Sequence, residues 1–176
     1  MESGLRLAAV ALAAAAVVAC RLEVREPEHG GNGVPSVLEA TADSVAVMAE
    51  LEAYYRDLSA RDWAAFADHF WPGATITTVW QPPGEDSARV VATSVPAFVA
   101  QAPQGPGSRE IFEERMLDAR VVTVGGLTHA WVRYHARFGD PGAVSEWEGT
   151  DAVTLMRHGG RWRIVSLAFL SDVPSP

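Results

Sequence analysis

The chain has 176 residues, 48% hydrophobic and 20% charged, with a formal net charge of −8: enough for one domain with appendages and too few for two well-buried ones. All 14 basic residues are arginine. That excludes a lysine Schiff base, pyridoxal-phosphate chemistry and a P-loop lysine, and the acidic balance argues against a nucleic-acid partner. The lone cysteine, Cys20, leaves no intrachain disulfide and no thiolate cluster for zinc or iron-sulfur, and no cofactor is implied.

Arg6 precedes 13 apolar residues, Leu7 to Ala19, a run shorter than the ~20 of a spanning helix and proper to an export signal. Val17-Val18-Ala19-Cys20 resembles the bacterial lipoprotein box. Residues 1–19 are therefore expected to be removed and Cys20 to be lipidated, which anchors an extracytoplasmic protein to a membrane. Arg21, where an aspartate would retain such a protein at the inner membrane, points to the outer membrane or a surface facing the periplasm. The alternative is an ordinary export signal with an incidental cysteine. Residues 20–35, rich in charge and glycine and including His29, read as a flexible tether. The domain is expected over 36–172, with a tail at 173–176.

Ser36 to Glu39 has capping-box spacing, and Val47, Leu51, Tyr54 and Leu58 recur at helical steps, which predicts a helix to about Ala60. Asp62 caps a short helix, Trp63 to Phe70. Pro72-Gly73 ends it, Thr75 to Trp80 is a β-branched strand, and Gln81 to Asp86 is turn-rich. Ser94 caps a third short helix to Gln101. Four strands follow: Arg109 to Val124, Leu127 to Phe138, Ser145 to Arg157 and Arg161 to Leu170, separated by glycine turns. The fold class is α+β, with about three helices covering one face of an antiparallel sheet.

The junction Leu58-Ser-Ala-Arg-Asp-Trp63, the strand starting Ala74-Thr75-Ile76 and the closing segment Gly149 to Ile164 resemble the nuclear transport factor 2-like superfamily, over roughly Val45 to Asp172. The resemblance implies a cone-shaped curved sheet with helices on its concave face. It includes SnoaL-like polyketide cyclases, ketosteroid isomerases and dehydratases, and does not by itself choose among them. Aligned without gaps, the isomerase tyrosine falls on Tyr54, the catalytic base on Thr78 and the protonated aspartate on Thr154. Two of the three roles are lost, which makes isomerase chemistry improbable.

The same register puts Thr78 and Trp80, Val132, Tyr134 and Ala136, Glu148, Thr150, Ala152 and Thr154, and Val165, Leu167 and Phe169 inside the cone. Tyr54, Trp80, Tyr134, Glu148, Thr154 and Phe169 are the candidate ligand-binding residues, for a small apolar molecule with one or two polar groups; the alternative is that they merely fill the core. Trp131, Arg133, His135, Trp147, Asp151, Val153 and Leu155 would lie outside, an apolar face suited to a homodimer, with Asp151 paired to Arg133 or His135. His69, His129, His135 and His158 lack metal-site spacing, so no metal is expected. His69, beside Asp68, is either an acid-base group or a helix-terminal histidine. Two function classes result. One is a lipid-anchored module that binds a small apolar ligand or a partner without catalysis, the reading chosen from the sequence. The other is a cyclase, isomerase or dehydratase with Tyr54 or Tyr134 as donor and His69 or Glu148 as base.

Overall fold

The computed structural model describes residues 42–81 and 86–172. The export signal, Cys20, the tether, the Ser36 capping box and the tail lie outside them. Helix α1 (Ala42–Ser59) runs as its apolar spacing predicts, and Val47, Leu51, Tyr54, Tyr55 and Leu58 are all buried. Arg61, with φ 56°, turns the chain, and the Asp62 carboxylate accepts a hydrogen bond from the Ala65 amide to cap α2 (Trp63–Asp68). Strand β1 (Phe70–Trp80) begins earlier than expected because the chain pairs again directly after His69, with an irregularity between Phe70 and Thr75 that absorbs Pro72-Gly73.

A further short strand, β2 (Arg89–Ser94), was not expected from the sequence. Ser94 then caps α3 (Val95–Gln101) through the Ala97 amide. The meander consists of β3 (Ile111–Val124), β4 (Leu127–Asp140), β5 (Ala143–His158) and β6 (Arg161–Ser171). The six strands form one open, curved sheet in the order β2-β1-β6-β5-β4-β3. Every neighbouring pair is antiparallel except β1 and β6, which run parallel. Helix α1 lies against β3 and β6, and α3 against β1 and β2. This is the α+β cone that the resemblance implied.

One expectation about the sheet is corrected. On β5 the buried residues are Gly149, Asp151, Val153 and Leu155, while Glu148, Thr150, Ala152 and Thr154 take the opposite face. Since opposed residues share a face, the pairing Val132↔Asp151 and Tyr134↔Gly149 fixes this phase from β4, whose Val132, Tyr134 and Ala136 are buried as expected. A bulge between Thr154 and Leu155, opposite Val165, breaks the count across to β6, so Leu167 is buried while Val165 is displaced from its expected phase.

Candidate functional site

Between the helices and the sheet lies a cavity of about 210 Å³. Tyr54, Phe98, Phe112, Tyr134 and Phe169 supply aromatic walls, and Leu58, Ile76 and Leu167 aliphatic ones. Two carboxyl groups enter this apolar space, Glu114 from β3 and Asp151 from β5. Each is held by ordinary strand geometry. Glu114 shares its face with Phe112 and Met116, and Asp151 shares its face with Val153 and Leu155, so the alternation that buries the apolar neighbours carries the carboxyls inward.

The backbone around them is tightly specified. The Ser59 hydroxyl donates to the Glu114 carbonyl (2.6 Å) and accepts from the Glu114 amide (2.7 Å), tying the end of α1 to β3 at that residue. Gly149 faces Tyr134, and a Cβ on it would lie 2.4 Å from both the ring carbon Cζ and the hydroxyl. Only glycine lets the Tyr134 ring lie across β5, where its hydroxyl reaches the Leu170 carbonyl (3.4 Å). Asp151 is 3% exposed, and Tyr55 donates a 2.5 Å hydrogen bond to its Oδ2.

Burial dominates the electrostatics. It pushes Asp151 up to about 7, against the opposing hydrogen bond from Tyr55. Burial, reinforced by the Asp151 charge, pushes Glu114 up to about 8. Tyr54, Tyr55 and Tyr134 are all raised by burial first and by the nearby carboxylates second, so they stay protonated donors. Arg61 is the cation that approaches a cavity wall, 6.0 Å from the Phe112 ring centroid, but its guanidinium donates to the Arg109 and Glu110 carbonyls and does not line the cavity.

The sequence-derived site residues divide. Tyr54, Tyr134 and Phe169 come together in the cavity. Glu148 and Thr154 do not: the β5 phase puts them on the far face, where Glu148 pairs with Arg133 (2.6 Å) and Thr154 Oγ1 lies 3.2 Å from His129 Nδ1. Asp151, expected there beside Arg133 or His135, is the group that moves inward, and Trp147 shares its phase. Trp80 lies past the cavity, 48% exposed, with Arg89 over its ring. Thr78 donates its hydroxyl to the Phe169 carbonyl (3.0 Å).

His69 lies outside the cavity lining. Its Nδ1 lies 2.8 Å from Glu50 and its Nε2 2.9 Å from Asp57, a clamp joining α1 to the start of β1. Burial opposes its protonation, but the two carboxylates outweigh that and raise its pKa. With both ring nitrogens engaged it is a structural histidine. Glu114, Asp151 and Tyr55 were missed in the sequence, although Phe112-Glu114-Met116 and Asp151-Val153-Leu155 each show a carboxyl in phase with apolar residues.

A family model described as "Putative lumazine-binding" matches residues 42–170. No curated protein matches the chain. Among solved structures, the chain is similar to an NTF-2 like protein of unknown function from Silicibacter pomeroyi DSS-3. Identity there is 20%, coverage 73% of this chain and 94% of that one, and the TM-score 0.52. It is similar also to a "putative dehydratase" of the NTF2-like family from Streptomyces avermitilis, with 14% identity, coverage of 75% and 97%, and a TM-score of 0.58. A "putative scytalone dehydratase" from Novosphingobium aromaticivorans DSM 12444 gives 12% identity, coverage of 74% and 85%, and a TM-score of 0.58. At such identities the likeness is one of fold alone. The family match over nearly all the described residues means that the chain belongs to the family described as "Putative lumazine-binding", with the fold of the NTF2-like structures.

Proposed function

We propose that the domain admits a small, largely apolar molecule to the cavity and moves protons on it with Glu114 and Asp151, as an enzyme of the isomerase or dehydratase type. The observation that carries this reading is the pair of carboxyls in one aromatic cavity, with pKa values raised to about 8 and about 7. Near neutral pH Glu114 holds its proton and serves as general acid, while Asp151 is substantially ionised and serves as general base. Tyr54 and Tyr134 are donors for an oxyanion developing on the substrate. The names of the two dehydratase-type neighbours support acid-base chemistry on this fold. The case against catalysis rested on Thr78 and Thr154, but this cavity draws its carboxyls from different strand positions.

The test is deuterium incorporation, followed by NMR, into a panel of small aryl ketones and alcohols, neutral and amino-substituted. Exchange in the wild-type domain, reduced ~10²–10⁴-fold in Glu114→Gln or Asp151→Asn, is expected. Exchange no faster than in acetate buffer across the panel would leave a binding module instead.

Export and lipidation at Cys20 complete the reading: an acid-base domain tethered outside the cytoplasm. This part is supported by the sequence of residues 1–20. Cys20→Ser should abolish fatty-acid labelling, and persistent labelling would remove the anchor. A homodimer through the outer sheet face is supported by exposed Val79, Val90, Trp131 and Leu170 around a groove floored by Ala152 and Ala168. A monomeric mass by light scattering would exclude it.

A further inference from the structure

We propose that the molecule this cavity takes is a small organic ammonium ion, an apolar body bearing one protonated amine, held by Glu114 and Asp151 among aromatic rings. This rests on the reading of the cavity as a ligand site and names the chemical class it selects. Among the described residues that line the cavity the charged groups are all acidic: Glu114 and Asp151, with no arginine or histidine. An anionic ligand would meet two carboxyls and no cation. An ammonium group is the complementary charge.

Two further features favour a cation over a merely polar neutral molecule. Five lining residues are aromatic, Tyr54, Phe98, Phe112, Tyr134 and Phe169, and the faces of such rings attract cations most strongly where water is excluded. The carboxyls also have acceptor capacity to spare. Asp151 uses Oδ2 for the Tyr55 hydroxyl, and among the described residues the Glu114 carboxyl has no hydrogen-bond partner. An ammonium carries three donors and no acceptor, which matches those free lone pairs.

Affinity for such a cation must depend on pH. The titratable groups facing the carboxyls are Tyr54 and Tyr55 from α1 and Tyr134 from β4, all raised and neutral, so the exchangeable protons belong to Glu114 and Asp151. Empty, the cavity keeps both carboxyls protonated well above their ordinary range. A bound ammonium favours the ionised form of Asp151, the carboxyl that gives up its proton first, and leaves the Glu114 proton for the general-acid role, so binding releases protons and strengthens as pH rises.

The experiment is calorimetric titration of the domain with benzylamine, benzyl alcohol and benzoate, three probes of one shape and different charge, at pH 6 and pH 8. Benzylamine is expected to bind at pH 8 at least tenfold tighter than benzyl alcohol. It should weaken roughly tenfold or more at pH 6, where the carboxyls hold their protons, while the alcohol changes by less than threefold. Benzoate should bind weakest of the three at pH 8. Asp151→Asn should reduce benzylamine affinity at pH 8 at least tenfold and flatten its pH dependence. Benzyl alcohol binding as tightly as benzylamine, or a pH-independent amine, would overturn the ammonium assignment and leave the cavity reading intact. Failure of all three probes to bind would overturn both.

Discussion

Two pairs of acidic side chains meet at α1, Glu50 and Asp57 on the helix itself and Glu114 and Asp151 on strands, and only the first pair has a histidine between its members. Glu50 and Asp57 flank His69, which takes a proton and gives each carboxylate a hydrogen bond. Partial burial pushes Asp57 up, yet the hydrogen bonds from His69 and Arg56 outweigh it and hold Asp57 below its ordinary value. Among the described residues no cation lines the cavity beside Glu114 and Asp151, and burial drives both far up. The residue types are the same and the helix is the same. Whether cationic neighbours are present decides whether a carboxyl is a structural tie or a proton reservoir. The fold thus spends its buried histidine on architecture and leaves the cavity carboxyls unneutralised, the arrangement that chemistry or a cationic ligand requires.

The largest effect is expected from the cavity. Both cavity carboxyls bind protons more tightly folded than unfolded. Their contribution is therefore fully present below the ordinary carboxyl range and is lost as pH rises through about 7 and about 8. Thermal unfolding should show stability falling from pH 5 to pH 9 by a few kcal/mol in the wild type. The double variant Glu114→Gln, Asp151→Asn should flatten that slope, and an unchanged slope would mean that these carboxyls do not carry raised pKa values.

The clamp should respond with the opposite logic. Replacing the cation with a neutral side chain, His69→Gln, strips Glu50 of its hydrogen-bonded cation, leaves Asp57 with Arg56 alone, and is expected to cost about 2–3 kcal/mol at pH 6. The penalty should shrink above neutrality, since His69 has a raised pKa and its contribution is lost as pH rises through that value. Equal penalties at pH 5.5 and pH 9 in denaturant titrations would show that the histidine acts by shape alone. An effect of similar size, ~2–3 kcal/mol, is expected for Gly149→Ala, whose new methyl would lie 2.4 Å from Tyr134 and 2.5 Å from the Leu170 carbonyl oxygen, so that side chain and backbone must both give. A crystal structure of that variant should show the ring shifted and the cavity altered, and an unmoved ring would refute the contact.

Much of the frame was legible in the sequence. Capping by Asp62 and Ser94, the helical spacing of Val47 to Leu58 and the glycine turns fixed where most elements lie, because each is a local signal. The site was less so. Tyr54, Tyr134 and Phe169 were found from the strand and helix phases that the sequence sets clearly. Gapless counting misplaces the phase of β5, and bulges at Met116/Asp118 and Thr154/Leu155 make such counting fail between neighbouring strands. With Ala152 apolar on one face and Val153 and Leu155 on the other, alternation alone was ambiguous, and one step exchanged Asp151 for Glu148 and Thr154. Strand β2 was missed because its Arg89–Ser94 segment is short and mostly exposed, so burial left little pattern to read.

The Ser59 hydroxyl has a consequence outside the cavity. Strand β3 is the last in the sheet order and runs for 14 residues, long enough to template another chain along its open side. At Glu114 that side is already occupied, since one hydroxyl caps both the amide and the carbonyl that an incoming strand would need. The serine that fixes a cavity residue thus also withdraws that residue's backbone groups from edge-to-edge pairing with another chain.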